Sequence, residues 1–174
     1  MGVMDGSIRA NLQSPRLIGL YDYWHQRCEG DRLPGRRHID PLEMAEWLGN
    51  LLLMEVTGDG SYRYRLYGSG FVQEFGREMT GRTIAELPTE QQGLIQAEYE
   101  QARLSRQPSA RVYSAEFDIA SLIRLGREIR KQASWERLVL PLANDGIHVD
   151  MLLVGAYQLG REPRTPPPAP VRWG

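Results

Sequence analysis

Cysteine is nearly absent from this chain of 174 residues, and the single one, Cys28, has no second cysteine with which to close an intramolecular disulfide. A disulfide-framed secreted module is excluded. Long apolar runs are missing too, since no stretch approaches the roughly 18 uninterrupted apolar residues of a membrane helix. The start, MGVMDGSIRANLQSPR, has neither the apolar run nor the small-residue cleavage site of a signal peptide. The expectation is a cytoplasmic protein without a membrane partner. Charge of one sign is in no excess: a formal net charge of -1 gives no pull toward polyanions, so no nucleic-acid partner is expected. What is present is a globular composition, 41% hydrophobic and 25% charged, in a length that suits one domain with a real core.

Residues 1–13 show no sustained periodicity and are expected to form a flexible arm. In SPRLIGLYDYWHQRCEG, Ser14 can cap a helix, Pro15 suits its first position and Gly30 can stop it. Leu17, Leu20, Tyr21, Trp24 and Cys28 recur at helical spacing on one face of that segment. Asp40-Pro41-Leu42-Glu43 has the form of a capping box opening a short helix, from which Met44, Trp47 and Leu48 can pack and which Gly49 ends. Residues 14–49 therefore read as flanking helices ahead of a core over 50–158, and the proline-rich 159–174 reads as an extended or disordered tail.

Within the core, LLLMEV (51–56) reads as a buried strand and Gly58-Asp59-Gly60 as a turn. Tyr62, Tyr64 and Leu66 alternate with Arg63, Arg65 and Tyr67 in a returning strand. Short helical pieces punctuated by glycine follow, and then Thr89 with Gln92 reads as a capping box for a helix over about 90–105, which Pro108 ends. SARVYSAEF reads as a strand, whereas 118–130 fits strand and helix alike. Two β-rich runs then flank Asn144-Asp145-Gly146, a hairpin signal. There is no internal repeat.

Gly68-Ser69-Gly70 invites a phosphate-binding reading, and the residues around it argue against one. A dinucleotide fingerprint needs glycine where Gln73 stands, and a P-loop needs a Gly-Lys-Ser/Thr ending with no lysine nearby to supply it. The glycines are expected instead to break a strand sharply into a helix, through positive φ and close packing.

The order of these features resembles a PAS domain, and more narrowly the short bacterial stand-alone PAS proteins. The resemblance rests on Tyr23-Trp24, Ile39-Asp40-Pro41, Tyr64-Arg65-Leu66-Tyr67-Gly68, Gly76 through Thr80-Gly81, and Arg137-Leu138-Val139-Leu140-Pro141-Leu142 before Asp145-Gly146. It covers roughly residues 17–157, and the stretch from about 114 to 131 is longer than the family pattern. The resemblance implies an α+β fold, a five-stranded antiparallel sheet with helices over one face and an extra N-terminal amphipathic helix. Between the layers lies a small cavity, which PAS domains use for haem, flavin, a small metabolite or nothing.

On that basis the expected pocket residues are Phe71, Phe75, Tyr99, Leu140 and Leu153, and Leu17, Leu20, Tyr21 and Trp24 form a dimer or helix-packing face. Haem-binding PAS domains commonly take an axial histidine from the longer helix, which here has none. Light-sensing flavin domains carry an Asn-Cys-Arg motif, whereas Cys28 lies outside the core after Gln26-Arg27. Haem and covalently linked flavin are disfavoured, and no cofactor is assigned. The implied function is a non-catalytic sensory or signalling module that binds a small molecule, a signalling protein partner, or both, and acts through homodimer or partner contacts. No kinase, cyclase or DNA-binding segment follows in the chain, so its output is expected to pass through another protein.

Other chemistries have weaker support. His148 and Asp150 share a strand face if the last strand includes them, which would suit an acid–base pair in a small cone-like α+β enzyme. Arg63 and Arg65 share a face that could grip an anionic ligand or partner, although a solvated or interface strand face is the favoured explanation. His25 and Cys28 have a zinc-ligand spacing with no second pair beside them, so no metal is assigned. A ligand-free interaction scaffold is the remaining alternative.

Overall fold

Side chains of a strand alternate between its two faces, so a sheet buried on both sides needs apolar residues at successive positions, as LLLMEV, LVLPL and MLLVGAY provide. The computed structural model describes residues 6–114 and 134–160, and there these runs form such a sheet. Strands β1 (Leu51–Val56), β2 (Tyr62–Tyr67), β3 (Ser109–Ser114), β4 (Ser134–Leu142) and β5 (Met151–Gln158) pair antiparallel in the order β2-β1-β5-β4-β3. Helices α1 (Ser7–Asn11) and α2 (Pro15–His25) precede the sheet, and α3 (Ser69–Phe75) and α4 (Thr89–Ser105) lie between β2 and β3.

One face of the sheet packs against α2. Leu51 and Leu53 of β1, Leu138, Leu140 and Leu142 of β4, and Leu153 and Tyr157 of β5 share a core with Leu17, Leu20, Tyr21 and Trp24. Ser14 caps the helix, its Oγ accepting from the Leu17 N–H at 3.4 Å, and the fully buried Trp24 donates its indole N–H to the Pro141 carbonyl at 2.9 Å. Gly155 permits the close approach, since a Cβ there would lie 2.6 Å from Leu20 and 2.9 Å from Leu17. Burying each of these large side chains contributes roughly 1.5–3 kcal/mol before ordering costs. The stripe is thus consumed within the chain, and none of its four residues is exposed to meet a second copy.

The opposite face, with Leu52, Met54, Val139, Leu152 and Val154, packs against Met79, Ile84 and the α4 residues Tyr99 and Ala102. The outer edge of β2 is covered by its own chain: Gly81 N–H donates to Tyr64 O at 2.7 Å and Tyr64 N–H to Arg82 O at 2.9 Å.

Several local expectations are corrected. Residues 6–13, expected as part of a flexible arm, contain α1 and bury Leu12, held by Arg9 on Asp22 and by the Glu136 carboxylate on the Gln13 and Ser14 N–H groups. Helix α2 stops at His25 rather than near Gly30, which lies in a later turn at φ +60°. No α-helix follows Asp40, because Glu43 does not return to it. The Glu43 carboxylate instead accepts from Tyr23 and Arg27, and the segment runs as turns into a 3-10 turn at Leu48–Asn50 with Leu48 exposed.

Thr89 is not a cap either. Gln92 donates to the Ala85 carbonyl, α4 starts after Pro88, and it ends at Ser105 with Arg106 in the left-handed region, before Pro108 is reached. Asn144-Asp145-Gly146 belongs to the longer connection 143–150 rather than a two-residue turn, because Asp145 and Asn144 hold that loop together with their side chains. The expectations for 118–130 and for the tail beyond 160 lie outside the described residues.

Candidate functional site

A β-bulge shapes the site. Leu53 pairs with Leu66 but Met54 pairs with Tyr64, which leaves Arg65 as the extra residue and rotates everything after it by one position. Simple alternation placed Leu66 on the face of Tyr62 and Tyr64 with Tyr67 opposite. The structure reverses this, packing Leu66 toward the α2 core and turning Tyr67 beside Tyr64, ring centroids 5.4 Å apart.

Next comes the glycine elbow. Gly68 has φ −59°, so positive φ is not what it provides. A Cβ on Gly68 would lie 2.4 Å from the Gly49 carbonyl oxygen and one on Gly70 would lie 2.6 Å from it. These residues are glycine because α3 starts in contact with the backbone of the 48–50 turn. That start carries Phe71 and Phe75 over the sheet, where Phe71 lies 5.6 Å from Tyr67, stacks on Phe75 at 6.3 Å, and approaches Trp135 of β4. Gly76, at φ +70°, ends the helix.

Between this aromatic row and α4 lies a cleft of about 960 Å³. Its floor is the sheet, through Leu52, Tyr64, Tyr67, Ala156, Arg137, Arg111 and Tyr113. Its roof and rim are Phe71, Phe75, Arg77, Met79, Leu87, Leu94, Ile95 and Tyr99. Tyr99 is fully buried, packs edge-on to Tyr62 at 5.2 Å, and has its phenol pKa pushed well above 10 by that burial.

One ion pair is built into the wall. The Arg137 fork donates to both oxygens of the buried Glu98 carboxylate, with Nε at 3.1 Å from each, and its guanidinium carbon lies 4.6 Å from the Tyr113 ring centroid. Burial is the largest influence on Arg137 and works against its charge, but the hydrogen bonds and the negative charge of Glu98 together outweigh it and raise the pKa.

Of the five pocket residues read from the sequence, Phe71, Phe75 and Tyr99 line the cleft. Leu140 and Leu153 do not. Both are buried on the opposite face under α2, because β4 turns Arg137 and Val139 toward the cleft side and β5 turns Leu152, Val154 and Ala156 there. Arg111 and Tyr113 carried no signal beyond ordinary strand alternation, and Tyr67 was hidden by the bulge.

The other candidates do not assemble. Asp150 and His148 precede β5 instead of sharing its face. Asp150 accepts from the Asn144 amide at 2.8 Å, while the exposed His148 ring meets Asp145 at 2.6 Å. Asp145 also accepts from the Ile147 and His148 N–H groups and is held far below the usual carboxylate range, first by His148. Arg63 and Arg65 are exposed, with Arg65 3.8 Å from Glu55. His25 stacks on Tyr21, and the Cys28 thiol, donating to the Trp24 carbonyl at 3.6 Å, is pushed up to about 12 by burial. Among the described residues no group of three His, Cys, Asp or Glu could hold a metal ion, and no helix is long and apolar enough to cross a membrane.

Solved structures with related architecture include a domain of a putative light and redox sensing histidine kinase from Haloarcula marismortui, at 14% identity and TM-score 0.42, covering 68% of this chain and 97% of that one. A sensory box sensor histidine kinase from Vibrio cholerae matches at 19% identity and TM-score 0.41, covering 68% and 89%. A fungal LOV domain photoreceptor matches at 16% identity and TM-score 0.44, covering 91% and 100%. No curated protein matches at a significant level. The model of the PAS domain family matches residues 12–158, which takes in all five strands, the cleft and α2, and the chain is therefore a member of the PAS domain family.

Proposed function

We propose that this PAS domain is a non-catalytic sensory module of the cytoplasm that takes a small molecule into the cleft beneath α3 and α4. The observation that carries this reading is the cleft itself. A space of about 960 Å³ lined by aromatic and aliphatic side chains with a few convergent polar groups has the size and chemistry of a small-molecule site. Catalysis has less support, because His148 and Asp150 are engaged with different partners in an exposed loop.

Occupancy has a route out of the cleft. Trp135 and Arg137 of β4 belong to the cleft side, and Glu136 between them holds the backbone entering α2. A ligand that shifts β4 would shift the N-terminal segment with it, changing a surface read by a signalling partner or a second copy of the chain.

Native mass spectrometry of freshly purified protein, compared with its denatured mass and its absorption spectrum, tests the reading. A reproducible added mass lost on denaturation supports it and supplies the ligand for identification. Failure of a broad small-molecule library to bind or raise the melting temperature, together with no added mass, would sink it in favour of an interaction scaffold.

A further inference from the structure

Among the described residues, the charges that line the cleft are unbalanced in one direction. Arg111 of β3 stands directly across from Arg137 of β4, and both line the cleft. Like charges directly opposite on neighbouring strands repel, so such a pair normally needs a counter-charge for each member. Glu98 neutralises Arg137 alone. Glu86, the carboxylate residue at the rim, is occupied by Arg82 and by the Thr83 N–H. Among the described side chains no carboxylate pairs with Arg111 or with Arg77, which also lines the cleft and whose guanidinium reaches the Glu86 backbone carbonyl at 3.5 Å. The same cleft is lined by aromatic side chains, among them Phe71 and Phe75, whose rings lie within 7° of parallel.

Resting on the reading of this space as a ligand site, we propose that it selects an amphipathic anion: a flat apolar body against the Phe71 and Phe75 region, with a carboxylate, sulfonate or phosphate group on Arg111. A planar guanidinium fork matches such oxyanions. Arg137, already committed to Glu98 and Tyr113, fixes the wall, and Arg111 supplies the unspent charge.

The test compares two fluorescent probes on the full chain. Anilinonaphthalene sulfonate and N-phenylnaphthylamine share one ring system and differ by the sulfonate. Wild-type protein is expected to bind the sulfonate about tenfold more tightly, and Arg111→Gln, at an exposed position on β3 that leaves the core intact, is expected to erase most of that ratio. Ile95→Trp, which fills the cleft from α4, is expected to weaken both probes and so locates them there. Equal binding of the two probes, lost in Ile95→Trp but unchanged in Arg111→Gln, would overturn anion selection and leave the cleft standing as a site. Binding unaffected by Ile95→Trp would overturn the cleft reading and this inference together.

Discussion

Glu136 on β4 holds Ser14, the residue that caps α2, by accepting its backbone N–H at 2.7 Å. The same carboxylate accepts the Gln13 N–H at 2.9 Å, and Glu136 is only 2% exposed. Its neighbours in sequence, Trp135 and Arg137, belong to the cleft side, so one strand joins the candidate site to the N-terminal segment.

Replacing Glu136 with alanine leaves two N–H groups without their charged acceptor. The expected loss is about 2–3 kcal/mol of stability, with Glu136→Gln falling between the two. Hydrogen exchange should quicken at residues 7–14 while the pairing of β1 with β5 stays protected. Unchanged exchange at 7–14 would show that the contact holds nothing in place.

The two kinds of glycine should respond differently. Gly68→Ala drives a methyl into the Gly49 carbonyl, so it is expected to cost about 2–4 kcal/mol and to disturb α3. Gly76→Ala meets nothing within 4 Å and suffers only from its positive φ, costing about 1 kcal/mol. Chemical denaturation of the two variants measures both, and equal losses would remove the close-approach explanation.

Tyr157 is buried with its hydroxyl unpaired among the described residues, so Tyr157→Phe should stabilise the fold, by about 1 kcal/mol. Burial raises the Tyr157 pKa to about 12, and burial followed by the Glu100 hydrogen bond raises Tyr62 to about 12, against an ordinary 10. Because the folded values are the higher ones, the neutral phenols favour folding fully below pH 10, and that contribution drains away as pH rises toward 12. Melting temperature should therefore fall across this window, less steeply in Tyr157→Phe. A variant that melts lower than wild type at neutral pH would contradict the unpaired-hydroxyl account.

His148→Ala and Asp150→Asn probe the enzymatic alternative. Both residues sit in the 143–150 connection, away from the cleft lining, so neither change should alter probe binding by more than about twofold. Asp150→Asn is expected to loosen the loop by weakening the Asn144 contact, visible as faster exchange at 143–147. A large loss of probe affinity in either variant would tie this loop to the site.

Much of the architecture is visible in the residues alone. The stripe of α2, the strands over 51–56 and 62–67, the last two strands and the longer helix follow from periodicities that local geometry imposes. The local readings that failed did so because side chains found other partners. Glu43 accepts from the Tyr23 hydroxyl and the Arg27 guanidinium that packing brings to it, Gln92 donates to the Ala85 carbonyl, and Asp145 accepts from the Ile147 and His148 N–H groups of its own loop.

The cleft was only half visible. Aromatic residues after a glycine pair pointed to Phe71 and Phe75, and the buried face of the long helix pointed to Tyr99. Leu140 and Leu153 went to the wrong side because apolar residues occupy both faces of β4 and β5, and hydrophobicity alone cannot assign the parity of a strand buried on both sides. The bulge at Arg65 is a further case, since nothing in Tyr-Arg-Tyr-Arg-Leu-Tyr marks where the register slips.

The amino-acid sequence by itself determined the first two strands, the last two strands and the longer helix, and that α2 must bury an aromatic stripe, because these follow from local periodicity. Only the tertiary structure decided which strand face meets α2 and which forms the cleft, and that Arg111 faces Arg137 while Glu98 neutralises one of them. Those relations depend on register and on contacts between residues far apart in the chain, and a pattern with a period of two reads the same from either side.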